Sequence, residues 1–193
     1  MNELNYILED EEPDFETIGD TVYLMSPIRE PYHIYIMGNL HFEFRNYFKR
    51  NNKKCLAYTG SLAWYHEGLN SKKYVKPDLS VICDLSKISK RGLEGVPELV
   101  VEILSPGTRE YDRSTKKDFY ENKGVKEYWI IDPKISSVEQ YVLDIDKYKL
   151  HSVTIVLEDW EYEMLSDEKK LNYTTVVRPT IFEDCGIDLI DIF

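Results

Sequence analysis

The feature that most constrains the fold is a nearly unbroken apolar run, LVVEIL, at residues 99–104 of the 193-residue chain. A strand that is apolar at successive positions, rather than at alternate ones, is typical of a central strand buried on both faces. Such a strand needs a covering layer on each side, which indicates a layered fold of helices and sheet. One charged residue, Glu102, lies inside the run. Because burying an uncompensated carboxylate is costly, Glu102 requires a compensating partner.

A helix is predicted over residues 31–52. Its apolar side chains recur at the three- and four-residue spacing of one helix face. They are Ile34, Ile36, Met37, Leu40, Phe44, Tyr47 and Phe48. Pro31 is typical of a first helical turn, and Lys49 and Arg50 suit the negative end of the helix dipole.

The rest of the chain is predicted to be mostly strand. A hairpin is expected over residues 17–27, and a second helix is expected to begin at Asp112 as its cap and to end at Gly124. The other predicted strands cover residues 55–66, 74–83, 97–105, 125–133, 136–144, 147–156 and 171–182. A helical turn is expected within residues 187–193. This order predicts an α+β fold, or an α/β fold with a mixed central sheet.

The formal net charge of −11 is unevenly distributed along the sequence. Residues 1–16 contain seven acids and no bases, residues 131–193 carry a net charge of −8, and residues 17–130 carry +4. We expect an acidic segment over residues 1–16 and a single domain over residues 17–193. The basic clusters in the positive section are typical of solvated loop ends, and the acidic total counts against tight non-specific binding of nucleic acid.

The sequence predicts a cytoplasmic protein. Its acidic start is unlike a signal peptide, and no stretch approaches the roughly 18 apolar residues of a membrane span. Cys55, Cys83 and Cys185 are far apart and form no CxxC motif. We expect them to be unpaired core residues in a reducing compartment.

Two carboxylates within strand-like segments are the candidate site. Asp78 lies in residues 74–83 and Glu102 in residues 97–105. Oxygen ligands without histidine or cysteine suit Mg²⁺ or Mn²⁺, and Mg²⁺ characteristically uses one or two carboxylates with water and phosphate. If the two strands are neighbours, both side chains could reach one ion, with the carbonyl of Ile103 as a third ligand. Lys116, on the following helix, could hold the attacking water and the phosphate.

Each of these residues also has an ordinary structural interpretation. Asp78 follows a proline and could cap a turn, Glu102 could form a buried ion pair, and Lys116 could form an exposed ion pair with Asp112 four residues earlier. His33 and its helical neighbour His41 are expected to be core or surface residues. The sequence contains no phosphate-binding loop, nucleophile elbow or dinucleotide-binding motif.

Several segments resemble the Uma-two family of putative restriction endonucleases, within the PD-(D/E)XK nuclease superfamily. The resemblance rests on PDLSVI, GVPELVVEILSPGT, YDRSTKKDFYENKGVKEYWIIDP and IFEDCGIDLIDIF, and it extends over roughly residues 14–193. It implies a restriction-endonuclease-like mixed central sheet flanked by helices, with an antiparallel C-terminal extension. It also implies Mg²⁺-dependent endonuclease cleavage of DNA, and a homodimer.

Position by position, the resemblance places the family's site on Asp78, Glu102 and Lys116, with Tyr120 as the tyrosine that follows the lysine. His33 matches a histidine that is frequent in the family. In the superfamily signature the lysine lies two residues after the acid, where this chain has Leu104. The resemblance implies that the lysine has migrated to Lys116.

Three functions remain open from the sequence. The first is a metal-dependent DNA endonuclease. The second is a catalytically silent DNA- or protein-binding member of the same fold, in which Glu102 and Lys116 form a structural pair. The third is a metal-dependent hydrolase of another phosphate ester.

Overall fold

The computed structural model describes residues 15–25 and 30–193. A six-stranded mixed sheet lies between a long helix on one face and a shorter helix on the other. This arrangement confirms the predicted fold class of a mixed central sheet flanked by helices. No helix among the described residues is long and apolar enough to cross a membrane.

The chain contains ten strands and five α-helices within its described residues. The strands are β1 (Phe15–Ile18), β2 (Thr21–Leu24), β3 (Leu56–Thr59), β4 (Leu79–Ile82), β5 (Leu99–Ile103), β6 (Glu127–Asp132), β7 (Ser137–Asp144), β8 (Lys147–Ile155), β9 (Val176–Val177) and β10 (Ile187–Asp188). The helices are α1 (Pro31–Arg50), α2 (Arg109–Tyr111), α3 (Lys117–Lys123), α4 (Asp159–Glu163) and α5 (Asp167–Asn172). A π-helical turn, Asp112–Lys116, joins α2 to α3.

The main sheet has the strand order β3-β4-β5-β6-β7-β8. Strands β5 and β6 are parallel, whereas the other neighbouring pairs in this sheet are antiparallel. The parallel pair requires a crossover, which α2, the π-helical turn and α3 provide. All five residues of β5 are buried, as predicted for a central strand.

Alternate residues of β5 face the two helical layers. Leu99, Val101 and Ile103 belong to the apolar core that includes α1. Val100 and Leu104 belong to the core on the opposite face, which includes α3. Because side chains alternate along a strand, Glu102 is directed to the α3 side.

Helix α1 confirms the prediction from the apolar spacing. Ile36, Leu40, Phe44 and Phe48 are buried against the sheet, and the chain leaves the helix at Asn51. Ile34 was expected to widen the apolar face, but its side chain is half exposed. It lies two residues from Ile36, which turns it away from the sheet.

The C-terminal part of the chain is less extended than predicted. Within residues 171–182, only Val176–Val177 form a strand, because α5 continues to Asn172 and a 3₁₀ turn covers Thr180–Phe182. The expected final turn is present as a 3₁₀ turn at Leu189–Asp191. The short strands β9 and β10 pair with each other outside the main sheet.

Two cysteines differ from the prediction. Cys55 and Cys83 form a disulfide, whereas Cys185 is free and buried. The bonded pair directly flanks the antiparallel pair Leu56 and Ile82, and this register brings the two cysteine Cα atoms to 4.0 Å. The prediction of three unpaired thiols was wrong because sequence separation gives no information about cross-strand register.

The N-terminal hairpin is confirmed as β1 and β2, which pair through four residues each. Strand β1 begins at Phe15, so it includes two residues of the acidic segment expected over residues 1–16. The last two residues of the predicted hairpin, 26–27, lie outside the described residues.

Candidate active site

Asp78 and Glu102 lie side by side because β4 and β5 are antiparallel neighbours. Leu79 pairs with Val101, and the two carboxylate residues occupy the next position of the same register. The backbone N–H of Asp78 donates a long hydrogen bond of 3.4 Å to Glu102 Oε2. The two strands are therefore neighbours, as the predicted site required.

The carboxylate of Asp78 is held by two neighbouring elements. Its Oδ2 accepts a hydrogen bond from the backbone N–H of Ile103 at 2.8 Å. The same oxygen lies 3.1 Å from Nε2 of His33, in the first turn of α1. His33 is buried, and its contact with Asp78 makes it part of the cluster. The sequence did not indicate what His33 would contact.

Glu102 is held from the α3 side of the sheet. Lys116 Nζ donates to Glu102 Oε1 at 2.9 Å, and the hydroxyl of Tyr120 donates to the same oxygen at 2.6 Å. Lys116 and Tyr120 are four residues apart on one helical face. Both are buried, so the helix presents an ammonium and a phenol directly to the strand carboxylate.

The π-helical turn brings Asp112 into the same cluster. Asp112 was predicted to cap the helix, but the helical path already begins at Arg109, and Asp112 is buried inside it. Its Oδ1 lies 3.8 Å from Lys116 Nζ. The ion pair between Asp112 and Lys116 is therefore present, but it is buried, whereas the sequence suggested an exposed pair. The hydroxyl of Tyr128 donates to the backbone carbonyl of Asp112 at 2.9 Å, which fixes the turn to β6.

Glu16 is a fourth carboxylate of the cluster, and the sequence interpretation missed it. Its Oε2 lies 3.0 Å from Lys116 Nζ, and its Oε1 accepts from the backbone N–H of Lys76 at 2.7 Å. The available signal was an acid within the short strand-like segment FETI, a weaker form of the pattern that identified Glu102. Glu16 was instead counted as part of the acidic segment over residues 1–16.

The lysine is surrounded by more negative charge than it can neutralise. Burial raises the pKa of Glu102, Lys116 opposes this shift, and Asp78, Asp112 and Glu16 add to it, leaving the pKa well above its usual range. Burial alone would lower the pKa of Lys116, but the surrounding carboxylates raise it well above the ordinary value. Burial likewise raises the pKa of Asp112 to about 6. Lys116 is therefore a permanent ammonium.

This cluster opens into a cavity of about 620 Å³. Six of its lining residues are Glu16, His33, Asp78, Glu102, Asp112 and Lys116. Its lining also includes Lys76, Arg109 and the exposed Lys134, together with the exposed Glu30. Arg109 already makes a two-point contact with Asp132, at 2.7 and 3.0 Å. The cavity thus combines a buried group of acids with less buried residues of both charges.

The donor set of the cavity suits a hard divalent cation held by few protein ligands. Within residues 15–25 and 30–193, no three histidine, cysteine, aspartate or glutamate side chains are grouped to hold a metal. An ion here would use Asp78 and Glu102 and complete its coordination with water and phosphate, as Mg²⁺ characteristically does. Asp112 Oδ1 is buried and accepts no hydrogen bond from the described residues, although it lies 3.8 Å from Lys116 Nζ.

Leu104 occupies the position of the usual superfamily lysine, two residues after Glu102. It is buried in the apolar core on the α3 side and also lines the cavity. Lys116 reaches Glu102 from that same side of the sheet. Two nearby bases have other partners: Arg113 contacts Glu139, and Lys117 lies over the ring of Tyr141.

Comparisons with known proteins agree with this fold. The sequence matches the family model of Uma2, described as a putative restriction endonuclease, over residues 1–169. It is 34% identical over 74 residues to an uncharacterised protein of Synechocystis, slr1290, and this match spans 38% of the chain and 39% of that protein.

A solved structure resembles the chain over almost its whole length. It is a putative nuclease belonging to DUF820 from Anabaena variabilis, with a TM-score of 0.68 over 96% of this chain and 93% of that one. At 18% sequence identity this likeness shows the fold alone. Because the family model covers most of the sequence, the chain belongs to the Uma2 family of putative restriction endonucleases.

Proposed function

We propose that the protein is a metal-dependent endonuclease that hydrolyses phosphodiester bonds in DNA. The observation that carries this proposal is the contact of 2.9 Å between Lys116 Nζ and Glu102 Oε1, beside Asp78 and within an open cavity. Two strand carboxylates with one helix ammonium match the combination that the family resemblance implies. The basic residues among the cavity lining, Lys76, Arg109 and Lys134, suit a polyanionic substrate.

Asp78 and Glu102 would hold the Mg²⁺ or Mn²⁺, with the carbonyl of Ile103 as a further candidate ligand. When bound, the ion would neutralise charge on the phosphate and lower the pKa of a coordinated water. His33 and the backbone N–H of Ile103 fix the orientation of Asp78. Tyr120 and Lys116 do the same for Glu102.

Lys116 acts through its charge in this proposal. Its raised pKa keeps it protonated, so it is unsuited to accept a proton from water. An ammonium beside the scissile phosphate stabilises the negative charge that develops there. Glu16 also contacts Lys116, at 3.0 Å, and restricts its position.

Plasmid cleavage tests the proposal. Wild-type protein should nick or linearise supercoiled plasmid in Mg²⁺ or Mn²⁺ and remain inactive in EDTA. Asp78→Asn and Glu102→Gln should each reduce the rate at least about a hundredfold, because either change removes a charged ligand. Asp118→Asn, an exposed change on α3, is the matched control and should leave the rate unchanged.

Two results would refute the nuclease proposal. Folded wild-type protein that leaves DNA intact in both metals would favour a silent binding member of the fold. That alternative is supported by the internal pairing of Lys116 with Glu16 and Glu102, which resembles a structural ion pair. Hydrolysis of a small phosphate ester without cleavage of DNA would favour a metal-dependent hydrolase of another phosphate ester.

A different result would concern the site and not the activity. DNA cleavage that survives both Asp78→Asn and Glu102→Gln would place the reaction at other residues.

A homodimer is the assembly proposed for cutting both strands of a duplex. Two copies would supply one active site for each strand, as the family resemblance implies. Light scattering of the purified protein, alone and with a non-cleavable duplex, would measure the mass. Linear products that appear without nicked intermediates would support paired sites, and a monomer that only nicks would contradict them.

A further inference from the structure

A second groove lies between the C-terminal half of α1 and the edge strand β3. Its volume is about 700 Å³, and its walls come from residues 41–49 of the helix and residues 53–62 around the strand. Strand β3 pairs with β4 on one side, and its other edge has no strand partner among the described residues. An open groove beside an unpaired edge is accessible to a macromolecule.

The helical wall of this groove is a row of basic side chains. His41, Arg45 and Lys49 are spaced four residues apart and therefore lie above one another on α1. Lys53 extends the row just beyond the end of the helix. Arg45, Lys49 and Lys53 are exposed.

Two exposed cations of the groove, Arg45 and Lys49, have no acidic partner among its lining residues. Among the lining residues that the structure describes, none is aspartate or glutamate. Neither Arg45 nor Lys49 forms an ion pair with any residue in the described ranges. In a chain with a net charge of −11, neighbouring exposed cations without ion-pair partners make this surface locally positive.

One end of the groove lies beside the backbone of Asp78. At the near end of β3, Thr59 pairs with Leu79, and the N–H of Gly60 donates to the backbone carbonyl of Asp78 at 2.9 Å. His33, which contacts Asp78, precedes Lys49 by sixteen residues on the same helix. At 1.5 Å per residue this is about 24 Å, the length of about seven base pairs of duplex.

We propose that this basic groove binds the phosphate backbone of the DNA on one side of the cleavage site. The inference rests on the proposed nuclease function and adds the path of the substrate away from the carboxylates. Arg45 and Lys49 would contact successive phosphates without reading the bases. Binding along the groove would therefore be independent of sequence and strongly dependent on salt.

Fluorescence anisotropy with a labelled duplex of about 20 base pairs tests this inference, because that length extends about ten base pairs on either side of a central contact and so covers the roughly seven base pairs of the groove. Binding is measured in EDTA over a series of salt concentrations. The groove variant is Arg45→Ala with Lys49→Ala. The control is Lys72→Ala with Lys90→Ala, which removes the same charge from two exposed residues that line neither cavity. Thermal unfolding verifies that both variants are folded.

In the groove variant, the slope of log K against log salt should become less negative by about 2, at about 0.9 per lost phosphate contact. The control should keep the wild-type slope. Equal losses in both variants would mean a general charge effect, and no loss in the groove variant would mean a different path; either overturns the inference. Neither result affects metal-dependent cleavage by the wild-type protein, so the nuclease proposal would stand.

Two other outcomes also decide the matter. A wild-type protein that neither binds nor cleaves DNA would overturn the groove inference together with the nuclease proposal. A polyglutamate peptide that binds through Arg45 and Lys49, while the duplex does not, would identify the occupant of the groove as an acidic polypeptide and overturn the assignment to DNA.

Discussion

Glu102 on β5 and Glu127 on β6 are both buried carboxylates, with 2% and 0% of their surface exposed, in two parallel strands of one sheet. Glu127 accepts four hydrogen bonds from neutral donors. These come from Trp129 Nε1, Gln140 Nε2, and the backbone N–H and hydroxyl of Thr180, at 2.6 to 3.0 Å. It joins the C-terminal segment to the sheet and lines neither cavity.

Glu102 has the opposite environment. Its close partners are one ammonium and one phenol, and three further carboxylates lie within the same cluster. It lines the cavity that contains Asp78. The comparison shows that burial alone does not distinguish a structural carboxylate from a functional one. Saturation by neutral donors indicates structure, whereas crowding with other acids beside an open cavity indicates a site that is suited to a cation.

The largest expected effect is on the structural member of the pair. Glu127→Ala should lower the free energy of unfolding by about 4 kcal/mol, because it leaves several buried donors unpaired. Glu102→Gln should change it by less than about 1 kcal/mol, since the amide oxygen still accepts from Lys116 and repulsion among the acids is relieved. Urea denaturation in EDTA measures both. Equal losses would mean that the two glutamates have the same structural role.

The carboxylate cluster should also make stability depend on pH through Asp112. Its pKa is about 6 in the folded protein, against an ordinary value of 3.8, so the folded state binds the proton more tightly. Stability from this group is therefore present below about pH 4 and is lost as the pH rises to about 6, by about 3 kcal/mol.

The measurement for this prediction is the difference in free energy of unfolding between wild type and Asp112→Asn, from pH 4 to 7 without metal. The variant should gain stability relative to wild type as the pH rises. Asp118→Asn, an exposed change on the same helix, should show a flat difference. A flat difference for Asp112→Asn as well would mean that Lys116 fully compensates its charge.

Metal binding should stabilise the cluster and leave the Glu127 region unaffected. At Mg²⁺ a hundredfold above its dissociation constant, the wild-type protein should gain about 2.7 kcal/mol of stability. Glu127→Gln should keep this gain, and Asp78→Asn should lose it. Thermal unfolding with and without Mg²⁺ is sufficient, and a gain that survives Asp78→Asn would place the ion elsewhere.

The smallest expected effect concerns one hydrogen bond to Glu102. Tyr120→Phe removes the phenol donor and should cost about 1 kcal/mol of stability. It should also slow cleavage about tenfold, because Glu102 loses one of the two groups that orient it. Tyr141→Phe removes a comparable donor from Glu139 and is the control. A cleavage rate that is equal in the two variants would show that Tyr120 does not orient the active carboxylate.

Local patterns predicted the central part of the fold. Helix α1 and strand β5 followed from the spacing and continuity of apolar residues, which burial against the sheet then satisfies. Asp78 and Glu102 were identifiable because acids inside apolar segments are costly. Their adjacency could only be stated as a condition, since antiparallel register is set by contacts between distant segments.

The features that were missed depend on long-range packing. Glu16 enters the cluster because β1 lies against the Lys116 helix, and no local pattern specifies that contact. The π-helical turn at Asp112–Lys116 accepts a hydrogen bond from the hydroxyl of Tyr128, which comes from β6. The disulfide between Cys55 and Cys83 likewise depends on the pairing of β3 with β4.

Cleavage of supercoiled plasmid by Lys116→Gln, measured beside Lys117→Gln in Mg²⁺, tests the central claim most directly. Lys117 is the adjacent residue on the same helix but contacts Tyr141 instead of the carboxylates. Lys116→Gln should lose at least about a hundredfold in rate while remaining folded by circular dichroism, and Lys117→Gln should cleave like wild type. Wild-type cleavage by a folded Lys116→Gln would contradict the assignment of the helix lysine to the active site.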